Sequence, residues 1–424
     1  MKQITFLLIV LLTIVNASAQ DLTDYVPALN ANIQKINYAS TTDDFQDLEF
    51  MGQLLHAKKV IALGEATHGT REHVLFRDRM IRYLILNHNL KRIAIEYEMA
   101  GLDRINHYVI DPKDQSNLKE ILNASGMFPS LISNELMKMI IWIKDYNKDK
   151  PALEKVHFEG MDVQYPAMVS NKILHTPKLM SMLNEAEIKS LKEFAKLFET
   201  DFSAAVPKEL LSDLTLVRKT LAIGINNLKD RDSVSIYTQY NALLSQSIKM
   251  RNKSMYLTRY YRDKFMADNI AWIADQTQDH QKVVVWAHNG HISKGLLSKY
   301  NAMGNWLEKK FGDKYYALAL LAGEGSARLY DAEDKTRRLT EIELPPLSNV
   351  NSLEYLFSKA KYENFFFNVQ EASKSGNFKN FFNQDLYIRS IGATLLTPFD
   401  VKVNLRKSYD GLIFFRKTSA LTLD

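Results

Sequence analysis

Apolar residues in this chain come in short runs that stop at ionisable turns, and segments of helical period lie between the runs. Val60 to Leu63 is one such run. It breaks into Gly64-Glu-Ala-Thr-His-Gly69, a turn carrying a carboxylate at Glu65 and an imidazole at His68. The segment from Thr70 to Asn89 that follows has a helical period, so the pattern predicts strand, turn and helix. Arg92-Ile-Ala-Ile-Glu-Tyr97 closes in the same way on Glu96, and Lys282-Val-Val-Val-Trp-Ala-His-Asn-Gly-His291 closes on His288 and His291. Alternation of strand and helix implies a parallel sheet, and α/β proteins place chemistry outside the carboxyl ends of such strands. If these strands are neighbours, their terminal side chains meet at one rim.

The first helix carries an anomaly. At 100° per residue Val74, Ile81, Leu84 and Ile85 share one arc, and Arg77 falls inside it, away from Arg71, Arg79 and Arg82 on the charged side. A guanidinium on a buried face is costly unless a carboxylate meets it. Glu65 is the natural partner and Glu96 the alternative.

The same reading organises the rest of the chain. Leu118 to Asn147 reads as helix and Val156 to Asp162 as a strand ending in an acidic turn. Pro177 to Gln278 is rich in Leu, Lys, Glu, Ala and Met, the composition of a helical insertion. Strand character returns at Lys282 to His291 and Lys314 to Gly323, and again at Leu386 to Leu396 and Gly411 to Arg416. The expected fold is α/β: a parallel-sheet core with a helical insertion domain and a small C-terminal α+β portion. Its divisions are a leader over 1–19, a first core part over 20–170, the insertion over 171–278 and a second core part with the α+β region over 279–424.

Composition narrows the setting. Met1-Lys2, an apolar run from Ile4 to Val15 and Ala17-Ser18-Ala19 form a secretory signal, predicting cleavage near Ala19 and a periplasmic or secreted protein. The run is shorter than the roughly 20 residues a membrane span needs, so stable membrane insertion is not expected. With 54 basic against 49 acidic residues and lysines scattered along the chain, nucleic-acid binding gains no support.

The chain has no cysteine and no Gly-x-Ser-x-Gly; Gly323-Glu-Gly-Ser326 has the wrong spacing. Hydrolysis would therefore use water directly, with His68 as general base, its ring kept neutral by the helix terminus just beyond. Glu96, or else Glu65, would hold the ring's tautomer. His288 and His291 would face the reacting carbonyl, one donating to the oxyanion and one protonating the leaving alkoxide. Arg262 and Asp162 are candidates for reaching the substrate, although a helix-surface ion pair and a helix cap explain them as well. The alternative use of Glu65, His68, His288 and His291 is a metal site with an open position.

Gly64-Glu-Ala-Thr-His-Gly69 with Glu72 and Arg77, Glu96, Gly160-Met-Asp162, Arg262-Asp-Lys-Phe-Met-Ala-Asp-Asn269 and Trp286-Ala-His-Asn-Gly-His291 together resemble the erythromycin esterase family. The likeness covers roughly residues 45–420 and continues in Met303-Gly-Asn-Trp-Leu307 and Tyr409-Asp-Gly-Leu412. It implies a helical insertion over a deep cleft and hydrolysis of a macrolactone ester, hence macrolide resistance, without an essential metal or other cofactor. Carried over by motif, His68 is the base, with Glu65, Arg77, Glu96, His288 and His291 completing the active site around a small-molecule ester. Phe265 and Asn305-Trp306 depart from the family pattern and leave substrate choice open. Distant relatives with a similar turn suggest two alternatives: a metal-dependent hydrolase or peptidase using the same His/Glu cluster, and a non-catalytic protein that binds haem or another small molecule.

Overall fold

Three of the predicted strands lie side by side in the computed structural model. It describes residues 22–39, 44–127, 129–198, 204–297, 300–332, 334, 338–378, 380–396 and 399–423. Val60–Leu63 and Leu90–Glu98 flank Lys282–Trp286 in parallel, with Leu63 and Ile95 both in register with Trp286. This register explains why distant segments share a rim: each strand ends at the same level, so the ionisable residues that follow emerge together. The sheet continues outward through His157–Asp162 on one side. On the other it continues through Tyr315–Tyr330, then Gly411–Thr418, Asn364–Asn368 and Ile33–Lys35. Neighbours from Gly411–Thr418 to His157–Asp162 run parallel, and the last two additions are antiparallel.

Both faces of the sheet are buried, and strand alternation sorts its residues between two cores. Val60, Ala62, Val283 and Val285 join the core that includes Val169, Phe194, Leu214, Leu243 and Ile270. Ile61, Leu63, Val284 and Trp286 join Val74, Phe76, Leu102 and Met139 on the other face. The Leu-, Lys- and Met-rich stretch forms Glu185–Leu197, Lys208–Asn226, Arg231–Met250 and Met255–Asp275, all helices, with Pro166–Leu174 before them. They pack on the first face. Arg71–Asn87, Met99–Ile110 and Asn134–Asn147 cover the second.

Several expectations are corrected. Leu118 to Asn147 is two helices, Leu118–Ala124 and Asn134–Asn147. Gly126 takes a positive φ of 75° after the first and Pro129 follows, a pairing that stops a helix. The strand expected over Leu386 to Leu396 is only Leu386–Arg389, and it pairs with Asp400–Val403 outside the main sheet. Arg79, assigned to the charged side of its helix, is buried beneath the N-terminal segment, where it binds Asp47 and the carbonyls of Asn37 and Asp44. The predicted leader over 1–19 lies outside the described residues. No described helix is long and apolar enough to cross a membrane.

Candidate active site

Gly64 opens the site because nothing larger fits. A Cβ there would stand 2.0 Å from Asn289 Oδ1, and Asn289 in turn spans to the next strand, accepting from Leu320 N at 3.1 Å and donating to its carbonyl at 2.8 Å. Asn289 N also donates to Glu65 O at 2.8 Å, which stitches the two ionisable turns together. The first turn is clamped from the other side, where His68 N donates to Gly392 O at 3.0 Å and Ile391 N to Ala66 O at 3.0 Å. Thr67 and Thr70 hydroxyls bond each other at 2.7 Å, so the turn enters the Arg71–Asn87 helix with its polar groups already paired.

Glu65 sits at the centre of the first half of the site. One carboxylate oxygen accepts from Arg77 Nη2 at 2.7 Å and Trp286 Nε1 at 3.2 Å; the other lies 2.5 Å from His68 Nδ1. Arg77 also donates to Gly64 O, and its guanidinium stacks on the Trp286 ring at 4.4 Å. Burial works against the Glu65 charge, but Arg77 and His68 outweigh it and hold the carboxyl near 2. With Glu65 anionic, His68 Nδ1 is a donor, and chemistry by this ring belongs to Nε2. Burial disfavours the charged ring, yet the charge and hydrogen bond of Glu65 raise the His68 pKa above its ordinary value.

Glu96 organises the second half. Its Oε2 accepts from His288 N at 2.8 Å and its Oε1 from Arg262 Nη2 at 2.7 Å, with His291 Nε2 3.3 Å from that same oxygen. Burial would raise the Glu96 pKa, but His291 and Arg262 carry it far below the usual carboxylate range. Arg262 grips Asp162 through Nε at 2.9 Å and Nη2 at 2.6 Å, and its Nη1 stands 3.0 Å from His291 Nε2. His291 Nδ1 donates to Asp263 Oδ1 at 2.8 Å, which also accepts from Met303 N at 2.8 Å. Burial opposes charge on His291, and Asp263 and Glu96 reverse that balance, so its pKa is raised.

His288 links the halves, its ring 5.9 Å from that of His68 and 6.5 Å from that of His291. Of the three imidazoles it is the one whose pKa is lowered. Burial first, then the His68 charge, lower its pKa to about 4. Its Nδ1 accepts from Gly290 N at 3.2 Å, so the neutral ring carries its proton on Nε2, which is 3.3 Å from Ala66 O.

All eight residues singled out from the sequence, Glu65, His68, Arg77, Glu96, Asp162, Arg262, His288 and His291, thus belong to one connected assembly. Two local expectations are corrected. The carboxylate that fixes the His68 tautomer is Glu65, three residues away, while Glu96 is engaged elsewhere. Glu65 also raises the His68 pKa against burial, so the depressed imidazole is His288. The sequence pattern assigns no role of its own to Trp286 or to Glu98, which is buried with Oε1 accepting from Tyr165 N at 2.6 Å. Strand alternation puts Glu98 on the side of Glu96, a usable signal. Among the described residues no three His, Asp or Glu side chains are arranged to hold a metal ion; beside the carboxylates stand Arg77 and Arg262.

Comparison with known proteins agrees with this architecture. The family model described as erythromycin esterase matches residues 85–418. The chain is similar to erythromycin esterase type II of Escherichia coli, 25% identical across 91% of this chain and 95% of that one. Its fold is that of a crystal structure from Bacillus cereus, with a TM-score of 0.82 at 21% identity over 95% of this chain and 99% of that chain. It is also that of a mutant of the erythromycin esterase EreC in its open conformation, with a TM-score of 0.67 at 16% identity over 90% and 96% of the two chains.

Proposed function

Because this chain belongs to the erythromycin esterase family, we propose that it hydrolyses a bulky or cyclic carboxylic ester, of macrolactone type, through a water molecule deprotonated by His68. The observation that carries the reading is the 2.5 Å pairing of His68 Nδ1 with Glu65. It fixes the tautomer a base requires and stabilises the imidazolium that forms when Nε2 takes the proton. Hydroxide then bonds to the ester carbon, and the carbonyl electrons move onto oxygen. His288, neutral with its proton on Nε2, is the donor suited to that oxyanion. As the oxyanion electrons re-form the carbonyl, the carbon–oxygen bond breaks and its electron pair leaves with the alkoxide, which takes a proton from His291, the imidazole whose pKa Asp263 and Glu96 raise. Release of the His68 proton to solvent and uptake of one by His291 restore the resting state. Arg77 and Arg262 keep Glu65 and Glu96 ionised throughout.

The basic, apolar and small-residue pattern of residues 1–19 supports export as part of the same proposal. The test is direct. The purified protein is incubated with macrolides and simple esters, and mass spectrometry reports a product heavier by one water. Turnover that persists after exhaustive chelation and disappears in His68→Asn is the expected result. Intact esters across the whole panel, or unimpaired turnover by His68→Asn, would overturn it.

A further inference from the structure

A cavity of about 720 Å³ opens beside the site, and its wall is basic. It is built where the Arg231–Met250 and Met255–Asp275 helices meet, facing Gln164 and Tyr165 beyond the acidic strand end. Arg251, Lys253, Arg259 and Arg262 line it, and no carboxylate does among the described residues. That imbalance is local, because acidic and basic residues nearly cancel over the chain as a whole. Arg262 is shared with the reaction centre through Glu96, Asp162 and His291. The cavity therefore adjoins the reaction centre across Arg262.

Arg251 is held in place, with Glu98 near enough to act on its charge, whereas Lys253 and Arg259 are exposed. Among the described residues Arg251, Lys253 and Arg259 enter no ion pair, whereas Arg262 is saturated by carboxylates. Arg251 is fixed by stacking on Phe198 at 4.9 Å and by donating from Nε to Ser247 O at 3.2 Å. The linker between the two helices is locked as well. Asn252 adopts a φ of 54° and clasps the backbone of Val206 through both Oδ1 and Nδ2. Arg259 and Arg262 lie one helical turn apart on the same face, so their charges add over one region. The helix that carries them begins at this wall and adds its positive end.

We infer that the ester this enzyme turns over is anionic, carrying a carboxylate or similar oxyanion that Arg251, Lys253 and Arg259 receive while its carbonyl lies at the histidines. The inference rests on the hydrolase reading for its kinetic half and on binding alone for the other. Calorimetry compares 4-propylbenzoate with its neutral isostere 4-propylbenzamide. The carboxylate should bind about ten-fold more tightly, and added salt should erase the preference. Lys253→Gln/Arg259→Gln, which alters exposed side chains outside the reaction centre, should bring the two ligands within about two-fold. Hydrolysis of 4-acetoxybenzoate should likewise exceed that of 4-acetoxybenzamide in kcat/KM, with the ratio lost in the double variant. Equal affinities, or no binding of the carboxylate, would overturn the anion site. Selective carboxylate binding with neither ester cleaved would leave the site standing and remove the hydrolase reading instead.

Discussion

Arg77 and Glu65 form an ion pair in which Nη2 stands 2.7 Å from Oε2 and neither side chain meets solvent. The pair lies beneath the turn that carries His68, where the guanidinium also holds Gly64 O and stacks on Trp286. Arg77→Met would keep the volume and leave Glu65 a buried anion with less compensation. We expect a loss of about 3–5 kcal/mol in urea denaturation, with part regained when Glu65→Gln is added. A change below about 1 kcal/mol would show that the pair does not carry the turn.

The pH–rate profile reports the Glu65 contact directly. A base works deprotonated, so kcat/KM should fall as pH drops through the His68 pKa, which lies above the ordinary 6.5. Glu65→Gln removes the charge that raises it, and the acidic limb should move to lower pH while the maximal rate also falls. An acidic limb that stays in place would assign it to another group.

Asp263 acts on the opposite limb. Its carboxylate raises the pKa of His291, and the proposed role of that ring requires a proton. Asp263→Asn keeps an oxygen for Met303 N and removes the charge. The alkaline limb should therefore shift to lower pH, with KM nearly unchanged. A change confined to KM would contradict a positioning role.

Stability should decline on acidification well before carboxylates titrate. Burial lowers His73 and His157 to about 3 and His288 to about 4. The unfolded chain binds these protons from about pH 6.5 downward and the folded chain does not, so the stability they impose is lost as pH falls. Glu65 adds a loss of the same sign between 4.5 and about 2. His68 and His291 act oppositely: their stabilising effect is full below 6.5 and disappears as pH rises through their raised values. Replacing His73, whose ring lies 5.6 Å from that of Phe415, by Phe should flatten the acid slope by about 1.4 kcal/mol per pH unit between pH 6 and pH 4. Chemical denaturation at those two pH values measures it, and an unchanged slope would refute the assignment to this residue.

The parts of this protein that were legible in its sequence are those where a local rule had no competitor. The buried strands at Val60–Leu63 and Lys282–Trp286 are too apolar for a sheet exposed on either face, and Arg77 stood on the wrong arc of its helix for a surface residue. Glu98 and Arg79 were harder. A carboxylate near a strand end and an arginine on a polar arc look solvated until the segment that covers them is known.

Sequence by itself determined which side chains would gather, because strands ending in ionisable turns deliver them to a common rim once the strands are parallel neighbours. Only the tertiary structure decided what each one does there. Glu65 rather than Glu96 holds His68, and His288 rather than His68 has the depressed pKa, because these outcomes depend on contacts of a few ångströms and on burial. The order Val60–Leu63, Lys282–Trp286, Leu90–Glu98 across the sheet sets those contacts. Spacing along the chain carries no record of that order.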